Sequence, residues 1–463
     1  MLTYDFENIE GPIYTYVYKC IKSDILSGEL KPGEKLPSKR TFANNNGVST
    51  ITIQNAYDQL ISEGYVYTVP KKGYYVANIE GMSRATVNTE VNYDIHIPQT
   101  KSYEYDLSSN GVNSENFPFS VWTKISRQVM AEQKEELMTI APAAGVLPLR
   151  EAIANHLKSF RGMLVDPKQI VIGAGTEYLY GLIVQLLGNR KIYGIENPGY
   201  QKLVSIYSQR DIACRFIPMD ENGVTVSGLQ ESQADVAHIC PNHHFPTGIT
   251  MPASRRYEVL AWANEKSRRY IIEDDYDSEF RLEGKPIPPL FSIDACEKVI
   301  YMNTFSKSLA PTIRISYMVL PVHLANQFYQ KMSFYSCTVS NFEQYTLAQF
   351  ISKGFLEKHI NRMRLYYMKR RKNIISIIEK SKLGQKCEIW ENDSGLHFLL
   401  KLDTKSSDEQ IKEKLREKGI KMRALSEYYF TKENERSHLF IINYSNIEEE
   451  KISQAVNLIE EIL

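Results

Sequence analysis

The sequence has no pair of cysteines at C-x-x-C spacing. Its six, Cys20, Cys214, Cys240, Cys296, Cys337 and Cys387, are scattered along 463 residues. That scatter gives no support for a zinc site or a redox pair, so no metal is expected, and in a chain this long it points to reduced thiols. There is no apolar run near twenty residues, which excludes a membrane-spanning helix. Met1-Leu2-Thr3-Tyr4-Asp5 has no basic start followed by an apolar stretch, so no secretory leader is expected and the cytoplasm is the expected location. Net charge is absent too: 55 Lys and Arg balance 55 Asp and Glu, so any nucleic-acid surface must be local. No internal repeat or low-complexity tract is visible. What remains is a globular composition, 43% hydrophobic, and a length that calls for more than one domain.

Three segments are expected: a compact unit at 1–78, a linker at 79–104 and a large unit at 105–463. In the first, Ile13, Val17, Ile21 and Ile25 recur every four residues and predict an amphipathic helix that Gly28 stops. Ser38 is an N-cap for a short helix through Phe42 and Ala43, broken at Gly47. Ser49 caps the next, with Ile53, Ala56, Tyr57, Leu60 and Ile61 on one side and Gly64 at its end. Tyr65–Val69 and Tyr74–Val76 predict two short strands around Pro70-Lys71-Lys72-Gly73. Helix, helix, turn, helix, hairpin is the order of a winged helix-turn-helix.

A helix that enters the major groove begins with small polar residues able to approach bases and phosphates. Ser49, Thr50, Thr52, Gln54 and Asn55 supply them, and Lys35, Lys39, Arg40, Lys71 and Lys72 surround them with positive charge. Residues 31–78 hold six Lys and Arg against three Asp and Glu, although Asp5, Glu7 and Glu10 offset that excess. The same pattern would also suit a protein-interaction module with a solvated basic face. The stretch Gly33-x-x-Leu36-Pro37-Ser38-x-Arg40-x-x-Ala43 resembles the GntR family of regulators. So do Val48-Ser49, Ala56-Tyr57-x-x-Leu60-x-x-x-Gly64-Tyr65 and Lys72-Gly73-Tyr74-Tyr75-Val76. The resemblance implies binding to a double-stranded DNA operator through Lys39, Arg40, Ser49, Thr50, Thr52, Lys71, Lys72 and Gly73. Thr50 stands where many relatives carry Arg.

From about residue 105, short apolar runs alternate with helical stretches, the pattern of an α/β fold with a mostly parallel sheet. From about Glu357, long charged helices and the runs His397–Leu402 and Leu439–Asn443 predict a small α+β subdomain. Ile170–Ile172 runs into Gly173-Ala174-Gly175-Thr176, and Val236–Cys240 into Pro241-Asn242-His243-His244-Phe245-Pro246-Thr247-Gly248. Tyr270–Ile272 runs into Glu273-Asp274-Asp275-Tyr276-Asp277, and Val299–Met302 into Asn303-Thr304-Phe305-Ser306-Lys307. In open α/β sheets, ligands collect beyond the carboxyl ends of strands, so these clusters predict one site. Gly175 and Thr176 present backbone N–H groups to a phosphate at a helix start. Asp274 suits a pyridinium nitrogen, Tyr276 a ring hydroxyl, Lys307 a Schiff base and Arg314 the phosphate, with Thr304 adding a hydroxyl. These residue types fit pyridoxal 5'-phosphate (PLP). Taken singly each is weak: a lysine in a Ser-rich turn is commonly a surface residue, and an Asp-Asp pair is more often a metal ligand or a cap.

The four motifs, with Gly145-x-x-x-Leu149-Arg150 and Arg161-Gly162, resemble the fold-type I aminotransferases over most of 105–463. The resemblance implies PLP on Lys307, Asp274 at the ring nitrogen, Tyr276 at the ring hydroxyl, Arg314 at the phosphate and Tyr200 covering the ring. Phe245 stands where classical aminotransferases have Asn; His243 or His244 is a candidate for its polar contact, or a buried structural histidine. A GntR reader joined to such a domain is similar to the MocR group. The arginines that recognise the ligand in its GABA-responsive member match Lys202 and Glu427 here, which argues against GABA, and Arg423 is a neighbouring alternative.

The reading is a PLP-dependent regulator, a homodimer on paired half-sites, that senses a small amino compound or PLP itself through an aldimine at Lys307. Amino acids, D-alanine-related compounds and vitamin B6 are the candidate effectors. Operator and sign of regulation stay open, as does slow half-transamination of the ligand. The alternatives are a working aminotransferase with an accessory N-terminal unit, and a DNA-binding scaffold with a dead pocket.

Overall fold

The computed structural model describes residues 3–6, 11–79, 95–98, 101–109, 111–282, 287–390, 395–431 and 435–463. They fall into two compact units, Met1–Thr100 and Lys101–Leu463. Most of the stretch expected as a linker, like Glu7 and Glu10, lies outside the described residues.

In the first unit, α1 (Ile13–Ser27) ends at Gly28, whose φ of 84° is the left-handed conformation that a side chain resists. Helix α2 (Lys39–Asn46) starts at Ser38, whose side chain accepts from the Thr41 N–H, and ends at Gly47. Helix α3 (Thr50–Ser62) starts at Ser49, which accepts from the Thr52 N–H. Strands β1 (Val66–Val69) and β2 (Gly73–Val76) pair antiparallel as the wing. Val17, Ile21, Phe42, Ile53, Tyr57, Leu60 and Val76 meet in one core, and each such buried side chain stabilises the unit by roughly 1.5–3 kcal/mol. Ile13 and Ile61, expected on the apolar faces, are exposed and half-buried respectively.

The second unit is built on an eight-stranded sheet. From one edge its strands are Ile170–Gly173, Ser316–Val319, Val299–Thr304, Tyr270–Asp274, Val236–Ile239, Ile192–Asn197, Ala213–Asp220 and Gly223–Val224. Neighbours from Val299–Thr304 to Ala213–Asp220 are parallel; Ser316–Val319 and Gly223–Val224 run antiparallel to theirs. The central strands are buried along their whole length, which explains their near-continuous apolar runs. A second, antiparallel sheet orders Cys387–Trp390, His397–Leu402, Leu439–Asn443 and Arg423–Ala424. The helices Phe355–Lys380, Asp408–Glu417 and Glu449–Ile462 share its core. This is the small subdomain, and it includes a segment remote in sequence: Tyr105–Asp106 pairs in parallel with Ile420–Lys421. The architecture is a mixed α/β fold with a mostly parallel central sheet and a small α+β subdomain.

Candidate functional site

The four predicted strand ends open on one cavity of about 680 Å³ in the second unit. Thr176, Tyr200, Asp274, Tyr276, Thr304, Lys307 and Arg314 all line it, as do Lys202 and Arg423.

Asp274 closes the strand Tyr270–Asp274 and is buried. Its Oδ2 accepts from the Tyr180 hydroxyl at 2.6 Å and lies 3.4 Å from His238 Nε2, itself anchored by Tyr207 through Nδ1 at 2.7 Å. Its Oδ1 is buried without a hydrogen-bond partner. A buried, unsatisfied carboxylate oxygen is costly, and a protonated ring nitrogen would satisfy it.

Tyr276 lies two residues on. Its oxygen is 3.2 Å from His243 Nδ1, and the same Nδ1 is 2.8 Å from Asp277 Oδ2. The close carboxylate keeps the imidazole proton on Nδ1. With that proton directed at Asp277, Nδ1 has no lone pair for the Tyr276 hydroxyl, whose own proton is left to be donated elsewhere. His244 is tied to Thr247 at 2.7 Å, and burial pulls its pKa down to about 3, as a neutral structural histidine. The two candidates for the missing asparagine's contact therefore part: His243 faces the Tyr276 hydroxyl, while His244 is held by its own loop. Phe245 lines the cavity and packs edge-on against Tyr200, His397 and Tyr428.

Lys307 sits on the one-turn helix Phe305–Ser308, directly after Val299–Thr304. Burial pushes its pKa below the usual lysine value, partly offset by Asp277. Thr304 caps that turn by accepting from the Ser306 N–H at 3.1 Å, and its hydroxyl also receives the Ser316 hydroxyl at 2.8 Å. Its first task is therefore to hold the turn that carries Lys307.

Gly175 caps the helix Thr176–Leu187 with φ 91°. The backbone there requires glycine, and a Cβ would also displace the Arg314 guanidinium from its present place. Arg314 has φ 52°, a left-handed backbone for a non-glycine residue, and lies 3.7 Å from Glu177 Oε1. Lys202 is bonded to the same Glu177 oxygen. Tyr200 is the residue before the helix Gln201–Ser208 and is 45% exposed, open to a ligand on one side. Arg423 is 3.5 Å from the Tyr428 hydroxyl. Glu427 stands apart: its Oε1 accepts from the Ala424 N–H at 2.8 Å, lies 3.3 Å from Lys412 Nζ, and does not line the cavity.

In the first unit, Ser49, Thr50 and Thr52 form the first turn of α3, Lys39 and Arg40 open α2, and Lys71-Lys72-Gly73 is the wing turn. Lys71 and Gly73 both have positive φ there, 62° and 123°.

The aminotransferase class I and II family model matches residues 104–459. The chain belongs to that family. The model of bacterial regulatory proteins, gntR family, matches residues 13–76, so this aminotransferase-family chain carries a GntR helix-turn-helix ahead of its large unit, the MocR arrangement. The Uncharacterized HTH-type transcriptional regulator YdeL of Bacillus subtilis (strain 168) is 35% identical over 91% of the chain and 90% of its own length. The HTH-type pyridoxine biosynthesis transcriptional regulator PdxR of Corynebacterium glutamicum is 29% identical over 90% and 89%. The probable rhizopine catabolism regulatory protein MocR of Rhizobium meliloti is 27% identical over 99% and 94%. In fold, the second unit is like the kynurenine aminotransferase of Pyrococcus horikoshii, solved with PMP. The TM-score is 0.67 at 24% identity, over 79% of this chain and 92% of that one. PLP is the cofactor of this MocR-type chain, and the open Oδ1 of Asp274 and the Gly175–Arg314 cradle fit it.

Sequence reasoning missed Tyr180, His238, Asp277, His397 and Asn443 at the cavity. Tyr180 lies one turn beyond Thr176 on a helix already placed, so helical spacing could have found it. His397 and Asn443 are paired across the small sheet and carry no local signal. Among the described residues no helix is long and apolar enough to cross a membrane, and no cluster of His, Cys, Asp and Glu suits a metal ion.

Proposed function

We propose that this chain is a cytoplasmic transcription regulator that binds operator DNA with its first unit and an amino compound bearing a carboxylate with the cavity of its second. The observation that carries the proposal is the convergence of Lys307, Asp274, Tyr276 and Arg314 on one cavity, with Asp274 Oδ1 left for a cationic partner. When bound, PLP supplies an aldehyde that condenses with amines and a ring that withdraws electrons. Asp274 holds negative charge at the ring nitrogen, and Tyr180 and His238 hold Asp274. Tyr276 donates its proton toward the ring hydroxyl, because His243 Nδ1, protonated toward Asp277, cannot accept it. Thr176 and the N–H groups at the helix start, with Arg314, receive the phosphate. Tyr200 covers the ring. Burial lowers the Lys307 pKa, which moves the amine toward the neutral form that bonds a carbonyl carbon.

Arg423 is the residue proposed to meet the effector's carboxylate. Lys202 is already engaged by Glu177, and Glu427 by Lys412 and the Ala424 N–H, so Glu427 brings no repulsion into the cavity. Amino acids and D-alanine-related compounds are effectors of this kind; PLP itself is the other signal the site suits. Occupancy shifts the population of DNA-binding states. A homodimer on paired half-sites is part of the proposal. It is supported by exposed Met138, Ile140 and Phe334 on neighbouring segments, joined through Cys337 N–H to Ala141 carbonyl at 3.4 Å.

A mobility-shift assay on the DNA beside the gene, with and without PLP and a panel of amino acids, tests the reading. Affinity should change with PLP or with one class of amino compound; DNA binding indifferent to all of them contradicts it. The complete set of Asp274, Tyr276, Lys307 and Arg314 also suits an aminotransferase, and multiple turnover on amino-acid and keto-acid pairs would favour that reading.

A further inference from the structure

The outer face of α3 is not used by the cavity or by the first unit's core. Ile53, Ala56, Tyr57 and Leu60 face inward. Ser49 and Thr52 are engaged with each other: Ser49 Oγ accepts from the Thr52 N–H at 3.1 Å and lies 2.8 Å from Thr52 Oγ1. Part of the bonding capacity of these hydroxyls is therefore spent on the helix cap. At helical spacing on the exposed side stand Ile51, Gln54, Asn55 and Asp58. Ile51 is 70% exposed, a large aliphatic side chain on an otherwise polar face.

Charge is distributed in a telling way around that face. No Lys or Arg occurs between Arg40 and Lys71. The side chains that most often read guanine O6 and N7 are therefore missing from α3. The cations sit on its neighbours: Arg40 is exposed at the start of α2, and Lys71 and Lys72 are exposed at the tip of the wing. Lys39 Nζ lies 5.5 Å from the Tyr74 ring, which links the start of α2 to the wing strand. A polar helix with one apolar side chain and no cation, flanked by cations, suits the floor of a groove between two phosphate backbones.

We propose that α3 reads A·T base pairs in the major groove, with Ile51 against a thymine methyl and Gln54 or Asn55 on adenine N6 and N7, while the flanking cations bind phosphate. This rests on the DNA-binding reading and adds the base class that the helix selects. Only the thymine edge offers a methyl to an aliphatic side chain, and amide side chains match adenine bidentately.

The test uses full-length, PLP-loaded protein to enrich duplexes from a random pool. Affinity is then measured on the recovered sequence with each thymine replaced in turn by deoxyuridine, which removes the methyl alone. The recovered half-site should be fixed by A·T pairs. At one or two thymines the replacement should weaken binding roughly fourfold, the factor for one buried methyl group. Ile51→Ala should weaken binding to the thymine duplex by a similar factor and be indifferent to deoxyuridine at that position. Ile51 is exposed, so the variant should keep its helix content, checked by circular dichroism. A half-site fixed by guanines, or deoxyuridine without effect at every position, overturns the inference and leaves DNA binding standing. An Ile51→Ala protein that still senses the methyl also overturns it. A pool that yields no enriched sequence rejects the DNA-binding reading and the inference with it.

Discussion

In the first unit, α1, α2, α3 and the wing follow one another along the chain, and each boundary carries its own local signal: Gly28, Ser38, Gly47, Ser49 and Gly73. In the second, the cavity draws Thr176, Tyr200, Asp274, Lys307, His397 and Arg423 from separate segments. The reader is shaped by neighbours in sequence, so damage to it should be local and graded. The cavity exists only when a long-range sheet brings its strand ends together, so its members depend on one another, from buried Asp274 and His397 to exposed Tyr200 and Arg423 at the rim. The two units also treat charge differently. Glu63 of the first is exposed and paired with Lys22, whereas Asp274 and Glu279 of the second each bury an oxygen without a hydrogen-bond partner.

Four experiments can break or sharpen that contrast. Asp274→Ala should have the largest effect: PLP affinity in equilibrium dialysis should fall about 10- to 150-fold, the worth of a charge-assisted hydrogen bond of roughly 1.5–3 kcal/mol. Operator binding by the reader without PLP should change little; an equal loss there would erase the separation of the units. Gly175→Ala should destabilise the second unit by about 1–3 kcal/mol, through a strained positive φ and displacement of Arg314, read by hydrogen exchange on the helix Thr176–Leu187. Ser49→Ala should cost α3 about 1 kcal/mol and leave PLP affinity unchanged.

The smallest and most discriminating effect is in pH. Burial, with Asp275 adding to it, raises the Glu279 pKa from 4.5 to about 8. The folded state then holds a proton that the unfolded state releases, so this contribution is present below pH 4.5 and lost as pH rises through about 8. In the first unit, the Tyr18 hydroxyl and Lys22 lower the Glu63 pKa from 4.5 to about 2. Its contribution is present above pH 4.5 and lost as pH falls through about 2. Hydrogen exchange should therefore show the backbone around Glu279 loosening toward alkali and that around Glu63 toward acid. Glu196 and Glu273 are raised in the same sense, so Glu279→Gln should reduce the alkaline loosening around residue 279 and leave the acid response around Glu63 unchanged; an unchanged alkaline response there would contradict this account of its charge.

Legibility followed the same division. The reader's helices and wing were visible because caps, glycine stops and apolar spacing act within a few residues. Four strand ends of the second unit were visible because a buried run followed by Gly, Asp or Lys is unusual chemistry. The small subdomain's strands His397–Leu402 and Leu439–Asn443 were visible as apolar runs. The pairing of Tyr105–Asp106 with Ile420–Lys421 was not, because nothing local marks a partner some three hundred residues away. The register that places His397 opposite Asn443 at the cavity is a property of the folded sheet. Glu427 shows the converse: alignment by resemblance put it near the ligand, but a backbone N–H and Lys412 hold it elsewhere.

Borohydride reduction of the PLP-loaded protein, followed by mass mapping of the labelled peptide, tests the central claim most directly. The account predicts a single pyridoxyl adduct on Lys307, abolished in Lys307→Ala while operator binding persists. A label spread over surface lysines, or none at residue 307, would contradict it.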